Sequence, residues 1–324
     1  MSTMRFDGRV AIVTGAGGNP GLGRAHAMLL ASRGARVVVN DLGVGPDGRR
    51  VVPADPALVV AEIEAAGGEA VVDYHSVADE TGAREVVKTA LDAWGRIDIL
   101  VNNAGIGVVS DFDEIESSHL EKVIGVHLMG SVWMCRAVWP HMRQAGYGRI
   151  VNTTSGGMWG LPGLSIYGTA KFGIYGLTRG LALEGARYGI EVNAVSPGGV
   201  SNSFHHFYTI HDPSILSAFV DSQPAELVSP MVAYLSHETC ELTGGLFDSA
   251  GGTVQARLFG TTPGYTNADL TIEDVRDHID EILDAARLEI ATDPRNAAQT
   301  GNNEIAKLLE AKPYQPLQQG YPSE

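Results

Sequence analysis

The sequence is poor in cysteine, with only Cys135 and Cys240 among its 324 residues. Two cysteines without metal-ligand spacing exclude a disulfide-rich scaffold and a cysteine-rich metal centre. We therefore expect both thiols to be packed in the interior. The sequence also lacks an apolar run of the ~18–20 residues that a membrane-spanning helix requires, and no secretory signal pattern is present. These absences predict a cytoplasmic protein without a membrane span.

Positive charge is scarce as well. Lysine and arginine number 23 against 38 aspartates and glutamates, which gives a net charge of −15 at pH 7. This balance argues against nucleic acid or an anionic membrane surface as a partner. His205, His206 and His211 lie close together in sequence, but no carboxylate or cysteine accompanies them at metal-binding spacing, so we predict no metal site.

A glycine-rich turn connects the first predicted strand, residues 9–13, to a helix over residues 24–33. The next strand, residues 37–41, ends in Asp41, and this order is the dinucleotide-binding pattern. Asp41 is expected to accept hydrogen bonds from the adenosine ribose and to repel a 2′-phosphate, which predicts NAD rather than NADP. Glycines let the backbone approach a pyrophosphate beside the helix N-terminus, so we predict cofactor contacts by Gly15, Gly17, Gly21, Leu22 and Gly23.

Strands and helices continue to alternate along the chain. Further helices are predicted over residues 57–66, 79–94, 117–144, 166–188 and 224–236. Further strands are predicted over residues 69–74, 98–101, 149–153, 190–195 and 246–248. This repetition predicts an α/β fold over residues 1–252, a doubly wound parallel sheet of the Rossmann type. Residues 253–324 are predicted as a C-terminal helical extension, with an amphipathic helix over 271–286 and a shorter one over 303–311.

Two side chains of the predicted helix over 166–188 suggest acid/base chemistry. Tyr167 and Lys171 lie four residues apart, so their polar ends share one face. A fixed ammonium favours the phenolate, so Lys171 is expected to lower the pKa of Tyr167 from its usual ~10. Tyr167 would then serve as a general acid/base at neutral pH. Thr154 and Ser155 follow a strand end nearby, where a hydroxyl can donate to a substrate oxygen that gains charge during hydride transfer.

In this order the motifs resemble the short-chain dehydrogenase/reductase family over roughly residues 6–252. The resemblance implies an oxyanion donor at Ser155, proton transfer by Tyr167, and a Lys171 that tunes the tyrosine and binds the ribose. It implies NAD as cofactor, a small-molecule substrate, and a homodimer or homotetramer formed through the helices that begin near residues 117 and 166. The cofactor contacts that it implies are Ser76, Val77, Asn103, Ala104, Gly105, Tyr167, Lys171, Pro197, Gly198 and Val200.

Four segments, residues 39–43, 126–131, 236–240 and 244–247, resemble more closely the dehydrogenase units of peroxisomal multifunctional enzymes type 2 and their actinobacterial relatives. Those units oxidise (3R)-hydroxyacyl-CoA with NAD. The resemblance implies an oxidoreductase that interconverts a secondary alcohol and a ketone on a bulky substrate, with 3-hydroxyacyl-CoA as the expected class. A hydroxysteroid dehydrogenase and a non-catalytic NAD-binding regulator are the alternatives.

The sequence departs from the usual family pattern in three places. The glycine turn is longer than usual between Gly15 and Gly21, so the inserted residues are expected to bulge. His127 stands where most members have asparagine, and it is expected either to hold a proton-relay water beside Lys171 or to pack in the core. The usual spacing before the tyrosine selects Thr154 as the catalytic hydroxyl, whereas the register of the strand selects Ser155, which we favour.

Overall fold

The computed structural model describes residues 3–43, 55–199 and 222–290. The chain divides into two units, Met1–Arg257 and Leu258–Glu324. The boundary lies after the strand Thr253–Arg257, because this strand is hydrogen-bonded to the sheet of the first unit. The sequence-based boundary at residue 252 would separate the strand from that sheet.

Short runs rich in valine and isoleucine form the strands of the first unit, as is typical of parallel strands buried on both faces. The strands are β1 (Val10–Thr14), β2 (Arg36–Asn40), β3 (Glu69–Asp73), β4 (Ile99–Asn102), β5 (Gly148–Thr153), β6 (Ile190–Gly198), β7 (Leu246–Ala250) and β8 (Thr253–Arg257). They follow the order β3-β2-β1-β4-β5-β6-β7-β8, in which β7 and β8 are antiparallel and all other neighbours are parallel.

Helices cover both faces of this sheet. They are α1 (Leu22–Ser32), α2 (Pro56–Ala65), α3 (Glu80–Trp94), α4 (Ser117–Ile124), α5 (Gly130–Ala145), α6 (Ser165–Gly185) and α7 (Ser229–Ser236). Apolar residues of α1, α2 and α7 form one core, and those of α3, α5 and α6 form a second core on the opposite face. Within β1, alternate residues enter the two cores, as the two-residue period of a strand requires. The predicted doubly wound Rossmann fold is confirmed.

The strand order reverses direction between β1 and β4, and the carboxyl ends of these strands flank the crevice where such sheets bind their ligands. Many of the predicted functional residues follow the ends of β1, β2, β4 and β5, so the topology gathers them at this edge. We therefore expect the functional site at this edge of the sheet.

The predicted single helix over residues 117–144 is interrupted. A π-helical turn, Gly125–Met129, separates α4 from α5. Such a turn shifts the backbone hydrogen bonds to i→i+5 and is frequent at functional sites, and it contains His127 here. The apolar period of the sequence continues through the turn, which is why the pattern does not reveal it.

The second unit is described as far as Ile290. A short antiparallel ladder joins β9 (Gly260–Thr261) to β10 (Glu289–Ile290). The predicted continuous helix over 271–286 is wrong, because the segment forms α8 (Ile272–Asp277), α9 (Ile279–Ile282) and a 3₁₀ turn (Ala285–Arg287). The breaks fall at His278, with φ −112° and ψ 18°, and at Asp284, with φ −66° and ψ 101°. The predicted helix over 303–311 lies outside the described residues.

Within the described ranges, no helix combines the length and the apolar character that a membrane crossing requires. That part of the chain also contains no group of three or more His, Cys, Asp or Glu side chains arranged to hold a metal ion. His205, His206 and His211 lie outside it. Cys135 and Cys240 are both buried, free thiols.

Candidate active site

The glycine turn, residues 14–23, connects β1 to α1 and runs close to the end of β4. Gly15 has φ +65°, and a Cβ atom there would lie 2.6 Å from the Cα of Ala104. A Cβ at Gly23 would lie 2.4 Å from the Gly15 carbonyl oxygen, and one at Gly21 would lie 2.4 Å from the Gly18 carbonyl oxygen. These positions therefore require glycine, because the backbone segments approach each other more closely than a side chain allows.

Two polar side chains join the glycine turn to the end of β4. The amide of Asn103 donates to the carbonyl oxygens of Thr14 and Gly15, both at 2.9 Å. The Thr14 hydroxyl accepts from the backbone N–H groups of Asn103 and Ala104, both at 3.1 Å. The predicted cofactor residues Asn103 and Ala104 thus contact the turn directly, and this network fixes the floor of the crevice.

The N-terminus of α1 has the chemistry that a pyrophosphate needs. Gly21 occupies the N-cap position in an extended conformation, without a side-chain hydrogen bond to the first turn. The amides of the first turn have no intrahelical partner, and the helix dipole adds positive potential there. Leu22 and Gly23 begin the helix. The described residues therefore fit the diphosphate of a dinucleotide.

Asp41 follows β2 directly and holds the outer part of the glycine turn. Its carboxylate accepts from the N–H of Gly17 at 2.9 Å and from the N–H of Gly43 at 3.0 Å. Burial raises the pKa of Asp41, and the two N–H groups oppose that rise. The amide of Gly17, which the sequence predicts as a cofactor contact, donates to this carboxylate, and its contact with the cofactor stays a prediction.

The remaining predicted cofactor residues lie at the ends of β3, β4 and β6. Val77 is buried in the core, and the Ser76 hydroxyl accepts from the N–H of Ala78 at 3.1 Å. Pro197 and Gly198 are the last two residues of β6 and pair with β7, so they lie inside the strand and not after it. Val200 lies outside the described residues.

Ser155 and Tyr167 lie side by side beyond the end of β5. Ser155 caps the 3₁₀ turn Gly156–Trp159 by accepting from the N–H of Gly157 at 3.1 Å. Tyr167, near the start of α6, lies close to the Ser155 side chain, since a Cβ at Gly157 would lie 3.3 Å from the ring and 3.6 Å from the Ser155 Oγ. Glycine at this position therefore keeps the ring close to the serine. The two hydroxyls can contact one substrate oxygen together.

Lys171 lies one turn further along α6 and is buried. Its ammonium donates to the Thr153 carbonyl oxygen at 2.8 Å and lies 5.7 Å from the centre of the Tyr167 ring. Burial lowers the pKa of Lys171 to about 7. Burial also raises the pKa of Tyr167, against which the Ser155 hydrogen bond acts. The expected lowering of the Tyr167 pKa by Lys171 is therefore wrong for the protein alone, because desolvation of the phenol dominates. Burial also lowers the protonated fraction of Lys171.

His127 contacts the same tyrosine from the π-helical turn. Its ring lies edge-to-face with Tyr167, with centroids 5.1 Å apart and planes at 86°. Its Nε2 lies 2.7 Å from the carbonyl oxygen of Ile106, and we assign it as the donor because this contact is shorter than the 3.1 Å to the Ile106 N–H. Its Nδ1 is buried and has no hydrogen-bond partner among the described residues. Gly105 makes room for the ring, since a Cβ there would lie 2.5 Å from its Cε1.

The charge state of His127 follows from its surroundings. Burial, followed by the nearby charge of Lys171, lowers the pKa of His127 to about 3. The ring is therefore neutral at physiological pH, and with the proton on Nε2 the unpaired Nδ1 is a hydrogen-bond acceptor. A buried acceptor without a described partner beside Tyr167 is suited to hold a water or a donor group.

Thr154 turns away from this group. Its hydroxyl is buried and donates to the Val195 carbonyl oxygen at 3.1 Å, so it joins β5 to β6. Of the two hydroxyls that the sequence left as candidates, that of Ser155 lies beside Tyr167, whereas that of Thr154 is bound to β6. The geometry favours Ser155 as the donor to a substrate oxygen.

Sequence reasoning did not assign a role to Thr14 or to Asp55. Thr14 stands at the strand end immediately before Gly15, where a hydroxyl can bind the neighbouring strand. Asp55 precedes Pro56, and aspartate followed by proline is a known helix-start signal. This signal is consistent with the start of α2, but it does not reveal that the start of α2 contacts the glycine turn.

Comparison with known proteins agrees with this geometry. The family model of the short chain dehydrogenase matches residues 9–209, and the chain belongs to the short-chain dehydrogenase family. Its members are NAD(P)-dependent oxidoreductases. A short-chain type dehydrogenase/reductase of Mycobacterium tuberculosis is 42% identical over 285 residues, which cover 87% of this chain and 96% of that protein.

Peroxisomal enzymes are also similar to the chain. The mouse peroxisomal multifunctional enzyme type 2 is 42% identical over 288 residues, which cover 87% of this chain but 38% of the mouse protein. The full-length Drosophila melanogaster enzyme of the same name aligns with a TM-score of 0.74 at 34% identity, over 95% of this chain and 50% of that chain. A short chain dehydrogenase from Mycobacterium avium gives a TM-score of 0.71 at 39% identity, over 86% of this chain and 95% of that chain. The chain thus spans half or less of the peroxisomal proteins and nearly all of the mycobacterial ones.

Proposed function

We propose that the protein is an NAD-dependent dehydrogenase that oxidises a secondary alcohol on a bulky substrate, with 3-hydroxyacyl-CoA as the class. The observation that carries the proposal is the meeting of Ser155, Tyr167 and Lys171 beside the glycine turn that Asp41 closes. The similarity to proteins named peroxisomal hydratase-dehydrogenase-epimerase and peroxisomal multifunctional enzyme supports the acyl-CoA class. The hydroxysteroid alternative has no comparable support.

Each residue of the site has a separate role in the proposed reaction. Bound NAD supplies the hydride acceptor. Tyr167, as the phenolate, takes the hydroxyl proton of the substrate, while Ser155 donates a hydrogen bond to the same oxygen. Lys171 provides positive charge below the tyrosine and a donor for the ribose, and its link to the Thr153 carbonyl oxygen orients it. The buried position of Tyr167 and Lys171 keeps bulk water from the proton as it moves.

His127 extends this proton path in our proposal. Its unpaired Nδ1 would hold a water that connects the Tyr167 and Lys171 pair to solvent. Because the ring is neutral, it can accept a hydrogen bond without placing a second positive charge beside Lys171. This role matches the asparagine that most of the family carries there, since both residues offer one acceptor to a water.

A substrate panel tests the proposal. Purified protein is supplied with NAD and, separately, with (3R)- and (3S)-hydroxyacyl-CoAs of several chain lengths, hydroxysteroids and simple secondary alcohols, and NADH is followed by its absorbance. We expect turnover with one hydroxyacyl-CoA stereoisomer and little with its mirror-image partner. Turnover confined to hydroxysteroids would replace the substrate class. Tight NAD binding without turnover of any alcohol would favour a regulator.

Exchanging the Asp41 carboxylate for an amide should weaken the preference for NAD. Gly17 and Gly43 donate to different oxygens of Asp41, so in Asp41→Asn the amide oxygen accepts from one of the two N–H groups, and the charge that repels a 2′-phosphate is gone. We expect the ratio of kcat/KM for NAD to that for NADP to fall roughly 10-fold or more. The measurement is initial rates with both cofactors at a fixed alcohol concentration. A parent enzyme that already prefers NADP would contradict the assignment of Asp41.

The oligomeric state and the cellular location of the protein stay predictions. We propose a homodimer or homotetramer, which light scattering at micromolar protein concentration would detect, and a monomer there would contradict it. A cytoplasmic location also stays a prediction, because several relatives carry the word peroxisomal in their names.

A further inference from the structure

Gly105 lies between the floor of the cofactor crevice and the histidine that contacts Tyr167. It is exposed, and its φ lies outside the left-handed region, so φ gives no reason for glycine at this position. A Cβ atom there would lie 2.5 Å from Cε1 and 3.1 Å from Nδ1 of His127. The position therefore requires glycine because of the histidine ring and not because of the backbone conformation.

The backbone on one side of Gly105 is held against the glycine turn. The N–H groups of Asn103 and Ala104 both donate to the Thr14 hydroxyl at 3.1 Å. A Cβ at Gly15 would lie 2.6 Å from the Cα of Ala104, so the two segments are closely packed. Gly105 therefore cannot retreat from the histidine without disturbing these contacts.

The histidine ring is held on its other sides. His127 is 3% exposed, and its Nε2 lies 2.7 Å from the Ile106 carbonyl oxygen. The ring also meets Tyr167 edge to face, with centroids 5.1 Å apart. Nonbonded carbon atoms pack at about 3.5–4.0 Å, so a methyl group at residue 105 would push the ring back by about 1 Å. That movement would lengthen the hydrogen bond to Ile106 or displace Tyr167.

We propose that Gly105 is a positioning residue of the reaction, which sets the separation between the cofactor crevice and Tyr167 through the His127 ring. The inference rests on the proposed function, in which Tyr167 accepts the substrate proton. It goes beyond the cofactor contact that the sequence predicts for Gly105, because here the histidine is what excludes a side chain. A misplacement of about 1 Å in a reacting group can lower a rate by ~10²-fold.

Gly105→Ala, made alone and together with His127→Asn, tests this role. Asparagine ends before the position of Cε1, so it leaves room for a methyl group at residue 105. We expect Gly105→Ala alone to lower kcat by roughly 10-fold or more, with a much smaller change in the NAD dissociation constant. In the His127→Asn background the same substitution should change kcat by less than about 2-fold, because the two positions are coupled by direct contact. The measurements are kcat and KM for the best alcohol of the substrate panel, and NAD binding by calorimetry.

Gly125→Ala is the matched control. Gly125 begins the π-helical turn that contains His127, and beyond its neighbours in the helix a Cβ there would meet no atom within 4 Å. The substitution adds the same methyl group two residues from the histidine without contacting its ring, so kcat and NAD affinity should match the parent values. The Tm of every variant is recorded, so that loss of folding is separated from loss of rate.

The outcomes separate the positioning role from its alternatives. A loss of rate in Gly105→Ala that His127→Asn relieves supports the role. An equal loss in both backgrounds overturns it, because Gly105 would then act on the cofactor directly, and so does a Gly105→Ala enzyme with the parent rate. A Gly105→Ala protein that folds only when His127→Asn is added also overturns it, since Gly105 would then serve stability alone. If the parent turns over no alcohol of the panel, the proposed function itself is wrong, and the positioning role falls with it.

Discussion

Replacing Tyr167 with phenylalanine should lower kcat for alcohol oxidation by ~10²-fold or more and leave NAD binding nearly intact. The change removes only the hydroxyl, so the ring keeps its edge-to-face contact with His127 and its packing on Gly157. Without the phenolate, the proposed acceptor of the substrate proton is gone. The measurement is kcat and KM for the best alcohol of the substrate panel, together with an NAD titration.

A second tyrosine of the same helix provides the control. Tyr175 is buried on α6, two turns beyond Tyr167. Tyr175→Phe deletes a buried hydroxyl from the same helix, and we expect its kcat to stay within a few-fold of the parent value. If Tyr167→Phe retained the same activity as this control, the proton-transfer role of Tyr167 would be wrong.

The pH dependence of alcohol oxidation should follow the ionisation of Tyr167. Tyr167 must be ionised to accept a proton, and burial raises its pKa in the protein alone. The ionised fraction, and with it the rate of alcohol oxidation, should therefore increase as the pH rises toward that pKa. The reverse reaction needs the neutral phenol and should decline over the same range. The residual activity of Tyr167→Phe should lose this dependence, because the titrating hydroxyl is gone.

Much of the fold was predictable because local patterns and the fold agree. Buried valines and close-packed glycines indicate the order of β1, the glycine turn and α1, because substitution of these glycines would produce backbone clashes. The period of two in a strand and of 3.6 in a helix distinguishes the two kinds of segment without knowledge of their neighbours. For the same reason the pattern predicts which residues end each strand, and therefore which edge of the sheet holds the site.

The parts that were missed depend on contacts between distant segments. The π-helical turn around His127 leaves the apolar period intact, so only the contact of the ring with Ile106 reveals its position. The strand β8 is exposed along its length, and its alternation is limited to Val254 and Ala256, which is too short a pattern to mark a strand, although it pairs with β7. In the second unit, periodicity predicted one helix, but the backbone at His278 leaves the helical region.

The choice between Ser155 and Thr154 illustrates the same limit. Both residues are small hydroxyl side chains that follow β5, and sequence spacing from either side selects a different one. Only the structure distinguishes them, because the Thr154 hydroxyl donates to β6 while that of Ser155 lies beside Tyr167. This difference gives the two positions opposite expected responses to mutation.

Ser155→Ala should lower kcat by ~10²-fold, because the substrate oxygen would lose a donor that stabilises developing charge. Thr154→Val has nearly the same shape as threonine and removes one buried hydroxyl, at a cost to stability of about 1 kcal/mol. The Val195 carbonyl oxygen keeps the backbone N–H of Thr154 at 2.8 Å as a partner, so β5 and β6 stay joined. We therefore expect kcat of Thr154→Val within a few-fold of the parent, with a slightly lower Tm.

Loss of the N-cap at Ser155 could also lower activity by loosening the turn Gly156–Trp159, so the two effects must be separated. The separation comes from KM and NAD affinity, which a loosened turn would change together with kcat, whereas a missing donor changes mainly kcat. Ser155→Thr restores a hydroxyl that can both cap the turn and donate, and it should recover a large part of the rate. The opposite pattern, a large loss in Thr154→Val and a small one in Ser155→Ala, would move the donor to Thr154. The hydroxyl beside Tyr167 in the structure would then serve only to cap the turn, and substrate binding would have to rotate the end of β5 to bring Thr154 into reach.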